Sequence, residues 1–264
     1  MPVLWWENKM RIFLACSTSV INKENRKKFM EQNKPLYLLE TFYSGEKICK
    51  EVLDIVGKEN FLLDSGAFSY MNGQHCTKEM LIDYLDRYIA FINKYDIKYF
   101  FELDVDTIFG IEFVEMLREK LEKETQKKCI PVWHKGRGIE YWKKMCNSYK
   151  YVAIGGLVFH VKKKEWPLIK KMVDYAYTKG VKVHGLGFTK TNELNKYKFY
   201  SVDSSSWLSS ASRGQTLNMF TGTNIITKKI EKGNKKANIQ EMSKFNFKEW
   251  IKYQKYMDTN NCCM

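Results

Sequence analysis

Eight short apolar runs alternate with longer amphipathic segments along this chain, and that alternation limits the fold more than any other feature. The runs occupy residues 11–16, 35–40, 61–66, 99–104, 129–134, 151–156, 182–187 and 199–204. Their hydrophobicity is nearly continuous, with little polar alternation, as strands require when helices cover both sides of a parallel sheet. Between them, a segment such as 77–93 sets Leu81, Leu85, Tyr88 and Phe91 at helical spacing behind Thr77, a residue suited to capping a helix N-terminus. Strand then helix, repeated, predicts an α/β fold: a (β/α)8 barrel of TIM type over residues 1–212. A doubly wound open sheet satisfies the same periodicity and is the alternative.

The length of 264 residues suits one large domain of that kind. Lysine and arginine total 44 against 30 acidic residues, a net charge of +14 that implies attraction for polyanions, nucleic acid first among them. At 44% apolar residues the chain is too hydrophobic to be disordered. Residues 213–264 read as a basic, aromatic-containing helical extension packed on the barrel. Between Thr227 and Tyr256 nine lysines face three glutamates, interleaved with Phe245, Phe247, Trp250 and Tyr253. Such a mixture can hold phosphates and stack unpaired bases, or it can be a terminal helix with one face on the core and its lysines in water. Seven cysteines without a CxxC spacing argue against a disulfide framework and for a reducing, cytoplasmic setting. No secretion signal and no run of apolar residues long enough to span a membrane is read.

Polar residues fall at the C-terminal ends of the runs: Glu40, Asp64, Asp104, His134, His184 and Asp203. In parallel α/β folds that edge carries the active site. Asp64 in DSGAF and Asp203 in SVDSSSW stand out, each ending an apolar run and followed by small residues. A pair of carboxylates across a pocket is the equipment for displacement at an anomeric carbon, one attacking and the other managing the leaving group's proton. Metal binding by Asp64, Asp104, Asp106, His134 and His184 is the weaker alternative, because no HxH pair follows the first strand.

Six blocks in order resemble the tRNA-guanine transglycosylase superfamily, and within it the shorter phage and bacterial DpdA-type enzymes that insert 7-deazaguanines into DNA. The blocks are DSGAF at 64–68, FELD at 101–104, PVWHKG at 131–136, GGL at 155–157, HGLG at 184–187 and SVDSSSW at 201–207. The resemblance implies a glycosyltransferase with Asp203 as nucleophile and Asp64 as general acid/base. It places Asp104, or Asp106 if the register is one turn off, against the N1 and 2-amino edge of the purine. Phe68 would stack on the base, Gly155, Gly156 and Leu157 would present backbone groups to it, and His134 and His184 would line its pocket.

Departures from the family pattern are informative too. No cysteine lies between Cys146 and Cys262 and no histidine follows His184, so the family's zinc subdomain is missing and no metal or redox cofactor is expected. Loss of that tRNA-holding element moves the expected polymer toward DNA, with RNA as the alternative. Val161 replaces a family glutamate linked to aminomethyl-bearing bases, which favours a neutral base such as preQ0. Trp207, Arg213, Lys228, Lys229, Lys235 and Lys236 are the expected strand contacts. The implied partners are DNA and a free 7-deazaguanine base; a second copy of the chain, or an accessory protein that opens the duplex, is compatible with both. A non-catalytic nucleic-acid-binding subunit is the reading from another class.

Overall fold

A computed structural model describes residues 9–15, 23–72, 76–157, 162–188, 190–208, 216–230 and 238–260. Seven of the eight runs form strands: β1 (Arg11–Ala15), β2 (Leu38–Thr41), β3 (Phe61–Asp64), β4 (Val132–Trp133), β5 (Tyr151–Ile154), β6 (Lys182–Gly185) and β7 (Ser201–Ser204). All are parallel, in the order β3-β2-β1-β7-β6-β5-β4. The eighth run contributes only single parallel bridges, Leu63 to Phe100 and Phe101 to Ile130. Those bridges touch both edges of the sheet, so the sheet is curled. Beyond them the run turns away at once, with the Val105 amide on the Leu103 carbonyl (3.1 Å).

The helices of the described residues are α1 (Lys23–Asn33), α2 (Glu46–Val56), α3 (Ala67–Asn72), α4 (Lys78–Tyr95), α5 (Asp106–Phe109), α6 (Ile111–Thr125), α7 (Gly138–Ser148), α8 (Trp166–Thr178) and α9 (Ile239–Asn260). α4 shows how sequence makes an element here. Thr77 accepts a hydrogen bond from the Met80 amide (3.3 Å), and Asp96 ends the helix in the left-handed region. Leu81, Leu85, Tyr88 and Phe91 are buried along one stripe, as their spacing requires. The Tyr88 hydroxyl reaches the carbonyls of Leu63 and Phe101 (3.3 and 3.1 Å), tying the helix to the bridged segment.

Strand alternation sorts side chains into two layers. Ile12, Leu14, Leu38, Leu63, Ile154 and Val202 face the helices, while Phe13, Leu39, Leu62, Phe101, Val132 and Ala153 fill the inside of the curl. The N-terminal end of that interior is plugged. The Arg11 guanidinium lies over the rings of Tyr37 and Tyr200 (5.3 and 5.2 Å), and Lys182 covers Tyr200 from 4.3 Å. Any opening to the interior therefore lies at the C-terminal edge of the strands.

Between β6 and β7 the described residues form a short 3-10 turn, Leu194–Lys196, and no longer helix among them. An antiparallel hairpin, β8 (Thr216–Phe220) and β9 (Ile225–Lys229), approaches this connection through Thr191, whose hydroxyl bonds Asn224 (2.5 Å). α9 holds both the hairpin and the sheet. Its Asn246 accepts from the Asn218 amide (2.7 Å), and its Gln254 donates to the carbonyls of Ile12 and Tyr37 (2.7 and 2.6 Å). No helix of the described residues is long and apolar enough to cross a membrane.

Trp207 corrects an expectation. It does not face a nucleic-acid strand: it is fully buried, its indole N–H donates to the Ala15 carbonyl (2.9 Å), and its ring packs edge-on against Phe247 at 4.9 Å. Its bulk joins the β7 end to α9. We predict that Trp207→Ala destabilises the protein by about 3–5 kcal/mol in chemical denaturation, the range for emptying a buried aromatic site. A stacking residue at the surface would leave the midpoint unchanged.

Candidate active site

Asp64, Asp203 and His134 end or follow strands on positions that point inside the curl. Asp64 continues the register of Leu62 and pairs across to Thr41, while Asp203 pairs across to Phe13. Just after Asp64 the chain turns sharply, and the Gly66 amide donates to Asp64 Oδ2 (3.1 Å). Gly66 has φ +70°, and a Cβ there would lie 2.4 Å from Thr41 Oγ1 and 2.7 Å from Tyr43 Cβ. Only glycine fits, which is the physical content of the DSGAF motif. Burial raises the Asp64 carboxyl to about 7; the negative charges of Asp104 and Asp203 push the same way, against the hydrogen bond from the Gly66 amide. Three carboxylates thus share one field at the mouth of the sheet.

Asp203 is held differently. Its Oδ1 accepts from the Gly187 amide (2.7 Å) and contacts His184 Nε2 (3.1 Å). His184 is fully buried, with Nδ1 2.6 Å from Ser201 Oγ, which in turn lies 2.5 Å from Tyr151 Oη. His184 therefore serves Asp203 rather than lining a base pocket, a correction to its expected role. Neither Ser201 nor Tyr151 was singled out from sequence. The signal was present: Ser201 lies two residues before Asp203 and so shares its face of the strand.

Asp104 pairs with His134 Nε2 at 2.8 Å. Burial works against charge on the His134 imidazole, but the hydrogen bond and charge of Asp104, with the charge of Asp106, outweigh it and raise its pKa. Gly155 makes room for this ring, since a Cβ there would sit 2.5 Å from His134 Cε1. Asp106 is committed elsewhere: it bonds Arg137 (2.7 Å), whose other nitrogen bonds the buried Glu102 (2.8 Å). Burial works to raise the Asp106 carboxyl, but the Arg137 guanidinium outweighs it and holds it below its ordinary value. Asp104 is thus the carboxylate that shares the site, and Asp106 is set aside. Glu102 of the FELD block faces the helices and also takes Arg118 (3.0 Å). Glu40, fully buried, accepts from Ser44 (2.9 Å) rather than facing the pocket.

Gly156 turns the chain at φ 71°, and Leu157 is buried beside it. Lys228 and Lys229 are exposed on β9. Arg213, Lys235, Lys236 and the side chain of Phe68 lie outside the described residues. Among the described residues no three His, Cys, Asp or Glu side chains are grouped as a metal site would group them.

No family model matches the chain, and no curated protein matches it. A solved structure titled "QR15, an Aldolase" is similar with a TM-score of 0.48 at 12% identity, covering 78% of this chain and 93% of that chain.

Proposed function

We propose that the chain is a closed (β/α)8 barrel enzyme, a DNA-guanine transglycosylase that exchanges guanine for a 7-deazaguanine base such as preQ0. Closure is supported by the parallel bridges through Phe100 and Phe101, which would make the eighth strand. One observation carries the chemistry: Asp64 and Asp203 share a field at the strand ends but differ in what holds them. Burial raises the Asp64 carboxyl to about 7, whereas Asp203 Oδ1 is fixed between the Gly187 amide and His184 Nε2. Carboxylates so divided suit a proton carrier and a nucleophile.

In this reading Asp203 attacks C1′ of the target nucleotide, and the bond to guanine breaks as protonated Asp64 gives its proton to the departing base. A glycosyl ester on Asp203 results. Ionised Asp64 then takes the proton from the incoming 7-deazaguanine, whose nitrogen attacks C1′ and frees Asp203. Two inversions retain the β-configuration. Asp104 accepts from the N1–H and 2-amino groups, both donors, and His134 holds Asp104 in place. A base in duplex DNA must first leave the stack, at a cost of a few kcal/mol.

The test is nucleoside mass spectrometry after incubating the protein with preQ0 and either guanine-containing DNA or tRNA. Deazaguanine in DNA is expected; incorporation only into tRNA moves the substrate to RNA. Tight DNA binding with no incorporation into either favours a non-catalytic subunit. A separate prediction concerns Lys228 and Lys229. Reversing both charges is expected to weaken DNA binding and reduce the slope of log affinity against log salt by about 1.5–2. An unchanged slope in a salt titration removes β9 from the interface.

A further inference from the structure

Behind Asp203 the side chains of His184, Ser201 and Tyr151 form an unbroken hydrogen-bonded row that the proposed reaction does not itself use. With a neutral imidazole, chemistry fixes its direction. A carboxylate has no proton to give, so the contact of Asp203 Oδ1 with His184 Nε2 requires the proton on Nε2. The neutral ring then carries a lone pair on Nδ1, and Ser201, 2.6 Å away, must donate to it. Ser201 has one hydroxyl proton, so Tyr151 must donate in turn to Ser201 Oγ. An imidazolium would also satisfy Asp203, with Nδ1–H donating to Ser201 and the row reversed; protons on both nitrogens are its signature in the spectrum described below. Ser201 is no nucleophile of a Ser-His-Asp triad, because it is fully buried in the sheet.

Resting on the reading of Asp203 as nucleophile, we propose that Tyr151, Ser201 and His184 are positioning residues. They lock His184 in the Nε2–H tautomer, so that Oδ1 of Asp203 is held by two donors and Oδ2 is the oxygen presented to C1′. Without a donor at Nδ1 the ring is free to take the other tautomer. Its bare Nε2 would then oppose Oδ1, and the carboxylate would lose one of the two bonds that aim it.

Nitrogen-15 NMR of histidine-labelled protein at neutral pH reads the lock directly. The chain has four histidines, so the signal missing in His184→Gln identifies the residue. The expected result is a proton on Nε2 and an unprotonated, hydrogen-bonded Nδ1; a proton on Nδ1 alone, or on both nitrogens, overturns the proposal. Ser201→Ala and Tyr151→Phe, checked for folding by circular dichroism, are each expected to slow base exchange at saturating substrate about five- to tenfold, the worth of one hydrogen bond, with KM unchanged. His184→Gln, which keeps an N–H near Oδ1, is expected to outperform His184→Phe. Wild-type rates in both Ser201→Ala and Tyr151→Phe overturn the proposal. An Nε2 proton in a protein that exchanges no base removes the transglycosylase reading and leaves the lock in place. An Nδ1 proton in a protein that does exchange base does the reverse.

Discussion

Replacing Asp203 by asparagine is expected to abolish base exchange while leaving the fold intact. The amide oxygen can still accept from Gly187 and His184, which bond Oδ1 at 2.7 and 3.1 Å, so the end of β7 keeps its geometry. What is lost is the second carboxylate oxygen, and with it the covalent intermediate that the proposed reaction requires. Loss of a nucleophile acting as part of a unit lowers turnover by about 10^4-fold or more, with binding retained. Single-turnover kinetics with DNA, alongside a binding isotherm, separates the two. A variant that still exchanges base at a tenth of the wild-type rate would assign the nucleophile to another residue.

Asp64→Asn carries the second large effect, and it has two opposite signs. Without a group that can gain and lose a proton, exchange is expected to fall about 10^2- to 10^4-fold. Stability is expected to rise. In the unfolded chain Asp64 ionises near its ordinary value of about 3.9, while in the folded protein burial and the neighbouring carboxylates hold it to about 7. Between those values the folded state binds one proton more, so wild type loses stability as pH rises through that window, and the loss is complete above it. Solvent at the pocket mouth screens part of the effect, leaving about 1–2 kcal/mol at pH 8. For a chain of this size that is about 2–8 °C in melting temperature. The variant is thus expected to be more stable than wild type at pH 8 and indistinguishable at pH 4, by thermal melts. Equal melting at both pH values would show that Asp64 ionises freely in the folded state. If Asp64 is the acid of the proposed exchange, the same value predicts that release of guanine slows about tenfold per pH unit above 7.

The fold was legible because burial on both faces leaves a plain mark in sequence. All eight runs lie where the structure has strands or bridges, and α4 follows its cap and stripe. The run at 99–104 reads like the others, but its pairing ends with the Glu102 amide on the Ile130 carbonyl, and the Glu102 side chain turns to Arg118 and Arg137. Apolar content cannot register a partner that lies in the helix layer. In the site, the strand-end position marked Asp64 and Asp203, since polar residues closing apolar runs are costly unless used. Trp207 shows a complementary limit: an aromatic at a strand end can face solvent or core, and only the packing of α9 decides it. Asp106 and His184 needed partners distant in sequence, Arg137 and Ser201, to reveal what they do.

The central claim, that Asp203 exchanges a purine through a covalent ester, is tested most directly by isotope exchange. The protein is incubated with labelled guanine and unlabelled guanine-containing DNA, single-stranded and duplex, beside Asp203→Asn. Label entering DNA with wild type and absent with the variant is the predicted result. Folded wild-type protein that places no label in DNA or in tRNA, or a variant that labels DNA as fast as wild type, would contradict it.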